Sequence, residues 1–286
     1  LNRKPQNKRS SKIRVSGSRG KTNERRGSKQ RPQTDQGLNS IEDDPKGVRL
    51  NRYIAQAGVC SRRKADELII EGRVRLNGDV VKELGTRVQK NDVVDVGGRR
   101  ITPQRHEYLL VNKPADVITT NSDEKGRKIV LDLIDNNKVK QKGLFPVGRL
   151  DRNTVGLILV TNDGELAHRL MHPSYEVEKL YKVRTREPIR REDIDKMMKG
   201  IEIEGETYIA DKVEYIKPQK LNELGVRLHE GKNRHIRRML EALEYTVTYL
   251  ERVRYAGLTT EGVRRGHWRR LKTVEIKRLR RLVKLK

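Results

Sequence analysis

Asp151 stands between Arg149 and Arg152 in the stretch FPVGRLDRNTVGLILVTNDGELAHRL, residues 145–170. A carboxylate beside cations, on a loop that runs into a rigid strand, is an arrangement that often holds a site acid. An acid so placed can serve as a nucleophile or take part in proton transfer. A bare Arg-Leu-Asp tripeptide is equally the signature of a loop ion pair, so the acid needs partners. Tyr181 falls in Lys179-Leu-Tyr-Lys-Val183, whose alternation turns its ring to the face opposite Leu180 and Lys182. Arg237 falls on the basic face of a helical pattern that follows Asn233. Each also has a structural alternative: Tyr181 as a core strand residue, Arg237 as a solvated helix arginine, Arg149 as a phosphate contact.

The elements that must position these groups can be read from periodicity. Gly156-Leu-Ile-Leu-Val160 reads as a short buried strand, Thr161-Asn-Asp-Gly164 as a turn, and 165–171 as a helix. Upstream, 108–111 is strand-like and leads into Asn112-Lys113-Pro114, and 129–134 has the spacing of a short amphipathic helix. Downstream, 191–198 reads as a helix, and 208–216 and 223–228 as strands. Asn233 is a candidate cap for a helix with Ile236, Met239, Leu240 and Leu243 on one face and Arg234, Arg237, Arg238 and Glu241 on the other. A strand over 247–253, a last strand over 268–271 and a basic helix from 274 complete the chain. Strands and helices mix without a regular strand–helix repeat, which predicts an α+β fold with a mainly antiparallel sheet.

Charge narrows the partner. The 286 residues carry 65 Lys and Arg against 39 Asp and Glu, a formal net charge of +26, with aromatic residues at only 4%. Such a balance predicts a polyanion as partner. A membrane surface competes for the same charge. However, no apolar run approaches the roughly twenty residues of a membrane helix, and no signal-type segment is seen near the start. The single cysteine, Cys60, leaves no internal disulfide and argues against a cysteine zinc site. The expectation is a cytoplasmic nucleic-acid binder. Residues 1–47 hold 13 Lys and Arg against 5 Asp and Glu, with almost no large apolar residues, and are expected to be a disordered basic tail.

Between 48 and 102 a small module emerges. Leu50, Ile54 and Ala57 recur at helical spacing, and Ser61 can cap a second helix buried through Ala65, Leu68 and Ile69. Arg62, Arg63 and Lys64 sit in its first turn, an unfavourable place for cations that is easier to understand if they meet phosphate. Asn77-Gly78 and Gly97-Gly98 are hairpin turns between short strands with Arg73 and Arg75 on one edge. RLNRYIAQAGVCSRRKADELIIEGRVRLNGDVV, with its S-R-R-K-A helix start and G-R-V-x-x-N-G hairpin, resembles the alpha-L RNA-binding domain, named for a small-subunit ribosomal protein. The resemblance implies that fold, with Arg62, Arg63, Lys64 and Arg73 contacting RNA phosphates. A linker, 103–107, separates it from the larger domain.

YLLVNKP, the GRLD stretch, EKLYKV and LHEGKNRHIRRMLEAL follow in the order seen in the RsuA/RluB/RluF family of ribosomal RNA pseudouridine synthases. An alpha-L domain at the N-terminus is that family's usual companion, and RYAGLTTEGVRRGHWRRLKTVEI with the basic tails looks most like the RluB branch, which acts on 23S rRNA. The resemblance implies a catalytic domain over 108–274, ended by a basic helix over 275–286, that turns a flipped uridine into pseudouridine. By this resemblance Asp151 is the catalytic acid, kept ionised by a nearby cation. It acts as a nucleophile at C1′ or the pyrimidine ring, or by assisting elimination toward a glycal. Arg237 pairs with it, bidentately where geometry allows. Tyr181 packs on the uracil and can serve in proton removal, and Arg149 fills the space the base vacates. Arg152, Lys179, Asn233 and Arg234 are expected RNA contacts. Two departures from the family pattern stand out: Asp116 where N-K-P-x-G has glycine, and Glu244 in place of the glycine before Tyr245.

No cofactor or metal is expected of an isomerisation. His168 and His172 lie four apart without a zinc-protease glutamate, and no G-K-[ST] phosphate loop or Ser-His-Asp arrangement is signalled. The expected partner is ribosomal RNA, 23S before 16S, free or in an assembly intermediate, met by a monomer and with no membrane involved. Two other classes compete. A non-catalytic ribosome-assembly factor would be signalled by loss of Asp151 or Tyr181, and both are present. A glycosylase would need a second, water-activating acid.

Overall fold

The computed structural model describes residues 46–140 and 142–285. The tail expected over 1–47 lies outside the described residues, apart from its last two positions.

The N-terminal module forms as its periodicity predicts. Helices Leu50–Gln56 and Arg62–Ile70 bury Leu50, Ile54, Ala65, Leu68 and Ile69 against Val74, Val88 and Val94. The Ser61 side chain accepts a hydrogen bond from the Lys64 amide at 3.3 Å and so caps the second helix. Four antiparallel strands follow in the order Asp79–Val81, Val74–Leu76, Val94–Val96, Arg99–Ile101. Both hairpins use two residues of positive φ, 53° and 96° at Asn77-Gly78 and 57° and 77° at Gly97-Gly98, which matches the twist of the flanking strands. The short linker is tied down on both sides. Gln104 donates to the Gln56 and Ala57 carbonyls, and the Glu107 amide donates to the Asn162 side chain.

The larger body is a nine-stranded sheet. Its main path runs Lys212–Tyr215, Glu223–Leu228, Lys179–Thr185, Val247–Tyr255, Val155–Thr161, Tyr108–Lys113, Trp268–Arg270. Every pairing is antiparallel except that of Val247–Tyr255 with Val155–Thr161. The run 155–161 is buried throughout. Its side chains alternate between two cores: Leu157 and Leu159 meet helices Gly164–Met171 and Thr273–Leu282, while Ile158 and Val160 meet Val117, Val130 and Ile134 on the other face. A third core joins Val183, Leu224 and Val226 to helices Arg191–Lys199 and His235–Ala242.

Three local expectations are corrected. The stretch 208–216 is not one strand. Glu206–Tyr208 pairs with Ile201–Ile203, and Lys212–Tyr215 enters the large sheet. Between them Ala210 donates to Met197 and Asp211 to Arg227, so the chain changes sheets there. The 129–134 helix is a single 3₁₀ turn, Val130–Leu133. Asn233 does not cap its helix either. Arg234 takes that position with φ +49° and no side-chain cap, and its left-handed backbone separates Asn233 from the first turn at His235.

Glu244 ends that helix in the conformation a glycine would favour, φ +68°. The Glu244 amide donates to Glu241 and the Tyr245 amide to Leu240, a complete Schellman closure built without glycine. A side chain held there costs energy, so Glu244→Gly is expected to stabilise the protein by about 0.5–1 kcal/mol. Thermal unfolding of the two proteins checks this, and an unchanged or lower midpoint would count against it.

Candidate active site

The loop that carries Asp151 is fastened almost atom by atom. Thr119, 5% exposed, donates its hydroxyl to the Leu150 carbonyl at 2.9 Å and accepts from the Leu150 amide at 3.2 Å. The Thr154 amide closes a turn on the Asp151 carbonyl at 3.0 Å. The Arg152 carbonyl accepts from the Asp116 amide and from Lys113 Nζ, each at 3.0 Å. Lys113 is fully buried and also donates to the Pro114 and Val117 carbonyls, at 3.0 and 2.7 Å, so one ammonium pins three segments around the acid. The departure at Asp116 is accommodated: its φ is +62°, and its carboxylate pairs with Arg152 Nε at 3.1 Å. That pair is exposed and adds little stability.

Strand Val155–Thr161 anchors the loop at Gly156. There φ is +107°, and an added Cβ would lie 2.3 Å from the Arg252 carbonyl oxygen. The parallel junction of Arg252 with Gly156 exists because this residue has no side chain.

Asp151 opens onto a cavity of about 920 Å³. Its walls gather Arg149, Arg152, Lys179, Tyr181, Asn233 and Arg234 from three separate stretches of chain. Arg237 approaches from the helix His235–Ala242, with Nε 4.0 Å from an Asp151 oxygen. This is a single contact at the limit of an ion pair, not the bidentate fork the sequence allows, because the same guanidinium also donates to the Val247 carbonyl at 3.5 Å. Burial, then neighbouring Arg234, lowers the Arg237 pKa, and Asp151 acts the other way; an arginine stays charged through such a shift. Arg149, Arg152, Asn233 and Arg234 are exposed, as RNA contacts would be, and Arg234 is engaged by Glu241 at 2.7 Å. Arg62, Arg63, Lys64 and Arg73 are exposed on the N-terminal module and do not line the cavity. Among the described residues no cluster of His, Cys, Asp or Glu is arranged to hold a metal, and no helix is long and apolar enough to cross a membrane.

Sequence reasoning missed Thr119, Lys113 and Arg252. Lys113 had a signal in the N-K-P motif; Thr119 had none, because its role depends on a loop thirty residues away. Lys179 carries more than an RNA contact. Its Nζ donates to the Val177 carbonyl at 3.1 Å and to the His229 carbonyl. Burial, followed by the charge of Arg252, pushes its pKa down to about 8. Burial likewise pushes Lys113 down to about 8, with Asp151 opposing. Single-turnover rates on RNA are therefore expected to fall between roughly pH 7 and 9 as these cations are lost. The fall should be shallower in Lys179→Arg, whose guanidinium keeps its charge; an identical profile would remove Lys179 from the account. Stability moves the opposite way. The native lysines release protons near 8 while the unfolded chain holds them to about 10.4, so the unfolded state binds more protons in that window and stability rises with pH.

Comparison with known proteins agrees with this geometry. Residues 107–242 match the RNA pseudouridylate synthase family, and residues 48–94 match the S4 domain. The chain is 42% identical to ribosomal large subunit pseudouridine synthase B of Bacillus subtilis over 237 residues, covering 82% of this chain and 96% of that one. It is 37% identical to the dual-specificity RNA pseudouridine synthase RluF of Escherichia coli, covering 82% and 79%. A solved structure described as a pseudouridylate synthase aligns with a TM-score of 0.59 at 27% identity, over 82% of this chain and all of the other. By these matches over both domains, the chain belongs to the RsuA/RluB/RluF family of RNA pseudouridine synthases.

Proposed function

We infer that the protein isomerises one or more uridines of ribosomal RNA to pseudouridine, with 23S rRNA as the substrate. The observation that carries the reading is that Asp151 and Tyr181 line one cavity of about 920 Å³, large enough for a flipped nucleotide, with Arg237 beside Asp151. The large-subunit relative in Bacillus subtilis supports 23S over 16S.

The nucleotide enters with its base out of the stack. Asp151 acts on the sugar, either adding to C1′ or assisting loss of the 2′ proton toward a glycal, while the C1′–N1 bond breaks with its electron pair on the base. The base turns in place under the Tyr181 ring. C5 then bonds to C1′, the C5 proton leaves, for which the Tyr181 hydroxyl is suited, and N1 gains a proton. Arg237 orients the acid. Arg149 takes the room the base has left in the RNA. Arg152, Lys179, Asn233 and Arg234 hold the flanking backbone. The 48–102 module, through Arg62, Arg63, Lys64 and Arg73, delivers the RNA to the 108–274 domain. The protein is proposed to act as a monomer, in the cytoplasm where rRNA is assembled.

Mapping of pseudouridines in 16S and 23S rRNA, in free RNA and in assembly intermediates, from cells with and without the gene tests this reading. The expected result is loss of a 23S site, restored by the wild-type gene. Loss of a 16S site instead would move the substrate, and no change at any site would leave an RNA-binding assembly factor as the better account.

A further inference from the structure

Arg252 is a buried, charged wall residue for which the reading above has no task. It is 3% exposed and lines the cavity. Its Nε donates to the Leu157 carbonyl at 2.7 Å, and its guanidinium lies over the Tyr255 ring, 4.6 Å from the centroid. Nη2 is buried and, among the described residues, has no hydrogen-bond partner; no carboxylate pairs with this cation there. Taking a guanidinium out of water without a counter-charge is costly. An acceptor that arrives with the substrate would meet that unmet donor.

Where Arg252 sits says which part of the substrate it meets. Arg252 and Tyr181 are directly opposite across antiparallel strands and so share a sheet face, beside a register shift between Leu180 and Tyr181. The residue opposite the ring that packs on the uracil is at the edge of that base. Arg149, Arg152 and Arg234, unlike Arg252, are exposed.

We propose that Arg252 is a catalytic residue that donates a hydrogen bond to a carbonyl oxygen of the detached uracil and stabilises the negative charge on it. The inference rests on the reading of Asp151 given above. When the C1′–N1 bond breaks, its electron pair leaves with the base, and the charge spreads from N1 onto O2 and O4. The sugar is carried meanwhile by the Asp151 ester at C1′, or as the glycal after loss of the 2′ proton. The charge leaves the base when C5 attacks C1′: the ester C1′–O bond breaks and releases the Asp151 carboxylate with its electron pair, or the glycal alkene takes back a proton at C2′, and transfer of the C5 proton to N1 then completes the isomerisation. A fixed donor aimed at charge present only between these two events accelerates both. It also lets the base rotate without escaping, because O2 and O4 are alike as acceptors.

The test compares wild type, Arg252→Lys and Arg252→Gln on rRNA purified from cells lacking the gene. Binding, thermal midpoint and single-turnover pseudouridine formation are measured, the last also on RNA deuterated at C1′ of uridine. The expected result is binding within about twofold and a rate lower by about 10²–10³ in Arg252→Gln, with a smaller loss in Arg252→Lys. The C1′ isotope effect should be larger than in wild type, because bond cleavage has become more rate-limiting. An unchanged rate overturns the proposal. So does a loss confined to affinity with the salt slope reduced by about one, which marks a phosphate contact. A rate loss with an unchanged isotope effect and a lowered midpoint marks a structural role and overturns it too. A wild-type protein that binds this RNA without forming pseudouridine would instead overturn the reading of the Asp151 site, and this proposal with it.

Discussion

Asp151→Asn is expected to lower pseudouridine formation by more than about 10⁴-fold while RNA binding is retained. The two side chains are nearly the same size, and the backbone of residues 150–152 is held by Thr119, Lys113 and Thr154 without help from the carboxylate. The loop therefore keeps its shape, and what disappears is one carboxylate oxygen at the cavity. Binding should hold or tighten slightly, because a negative group facing phosphates has been removed. Asp151→Glu separates charge from placement. The carboxylate is displaced by one methylene from a fixed backbone, and a loss of about 10²-fold is expected from misplacement alone. Rates measured under single-turnover conditions, beside a binding curve, check both. Pseudouridine formed by Asp151→Asn at near wild-type speed would sink the assignment.

Gly156→Ala is the second large effect, and it acts through the fold. A methyl group at 2.3 Å from the Arg252 oxygen and 2.7 Å from its nitrogen cannot be met by rotating a side chain, since both atoms are backbone. The φ of +107° adds strain for any residue with a Cβ. The parallel strands must part, at a cost of about 3–5 kcal/mol, enough to erase much of a domain's stability. Even where the variant folds, the strand that bears the acid and the strand that bears Arg252 lose their register. A midpoint close to wild type with full activity would show that the junction can relax, contrary to its geometry.

Much of this was legible because the decisive segments are locally consistent. The apolar run after Asp151 could be nothing but buried, and Asn77-Gly78 and Ser61 fix a hairpin and a helix start by their own chemistry. Asp151, Tyr181 and Arg237 stand out in sequence because each lies in a dense motif; the folded chain places the first two on one cavity and Arg237 beside Asp151. What escaped was set by distant contacts. Thr119 is an ordinary threonine until Leu150 comes beside it, and Arg252 reads as one more arginine in a basic strand until its burial is seen. Asn233 fails as a cap for a related reason. Its side chain suits the role, but the left-handed turn at Arg234 decides where the helix begins. Both departures from the family's glycines kept the left-handed backbone and changed only the residue that bears its cost.

The fastening of the Asp151 loop has a consequence for which RNA the enzyme can use. Leu150, Asp151 and Arg152 are each bound through their backbone to parts of the chain already fixed, so the acid has no closing movement with which to reach a substrate. The deformation on encounter falls on the RNA. Every uridine must then supply its own unstacking energy, and helices that resist opening are screened out before any base is read. Site choice by such a rigid receiver is a competition in RNA pliancy. Uridines in loops are the expected winners over those in finished helices.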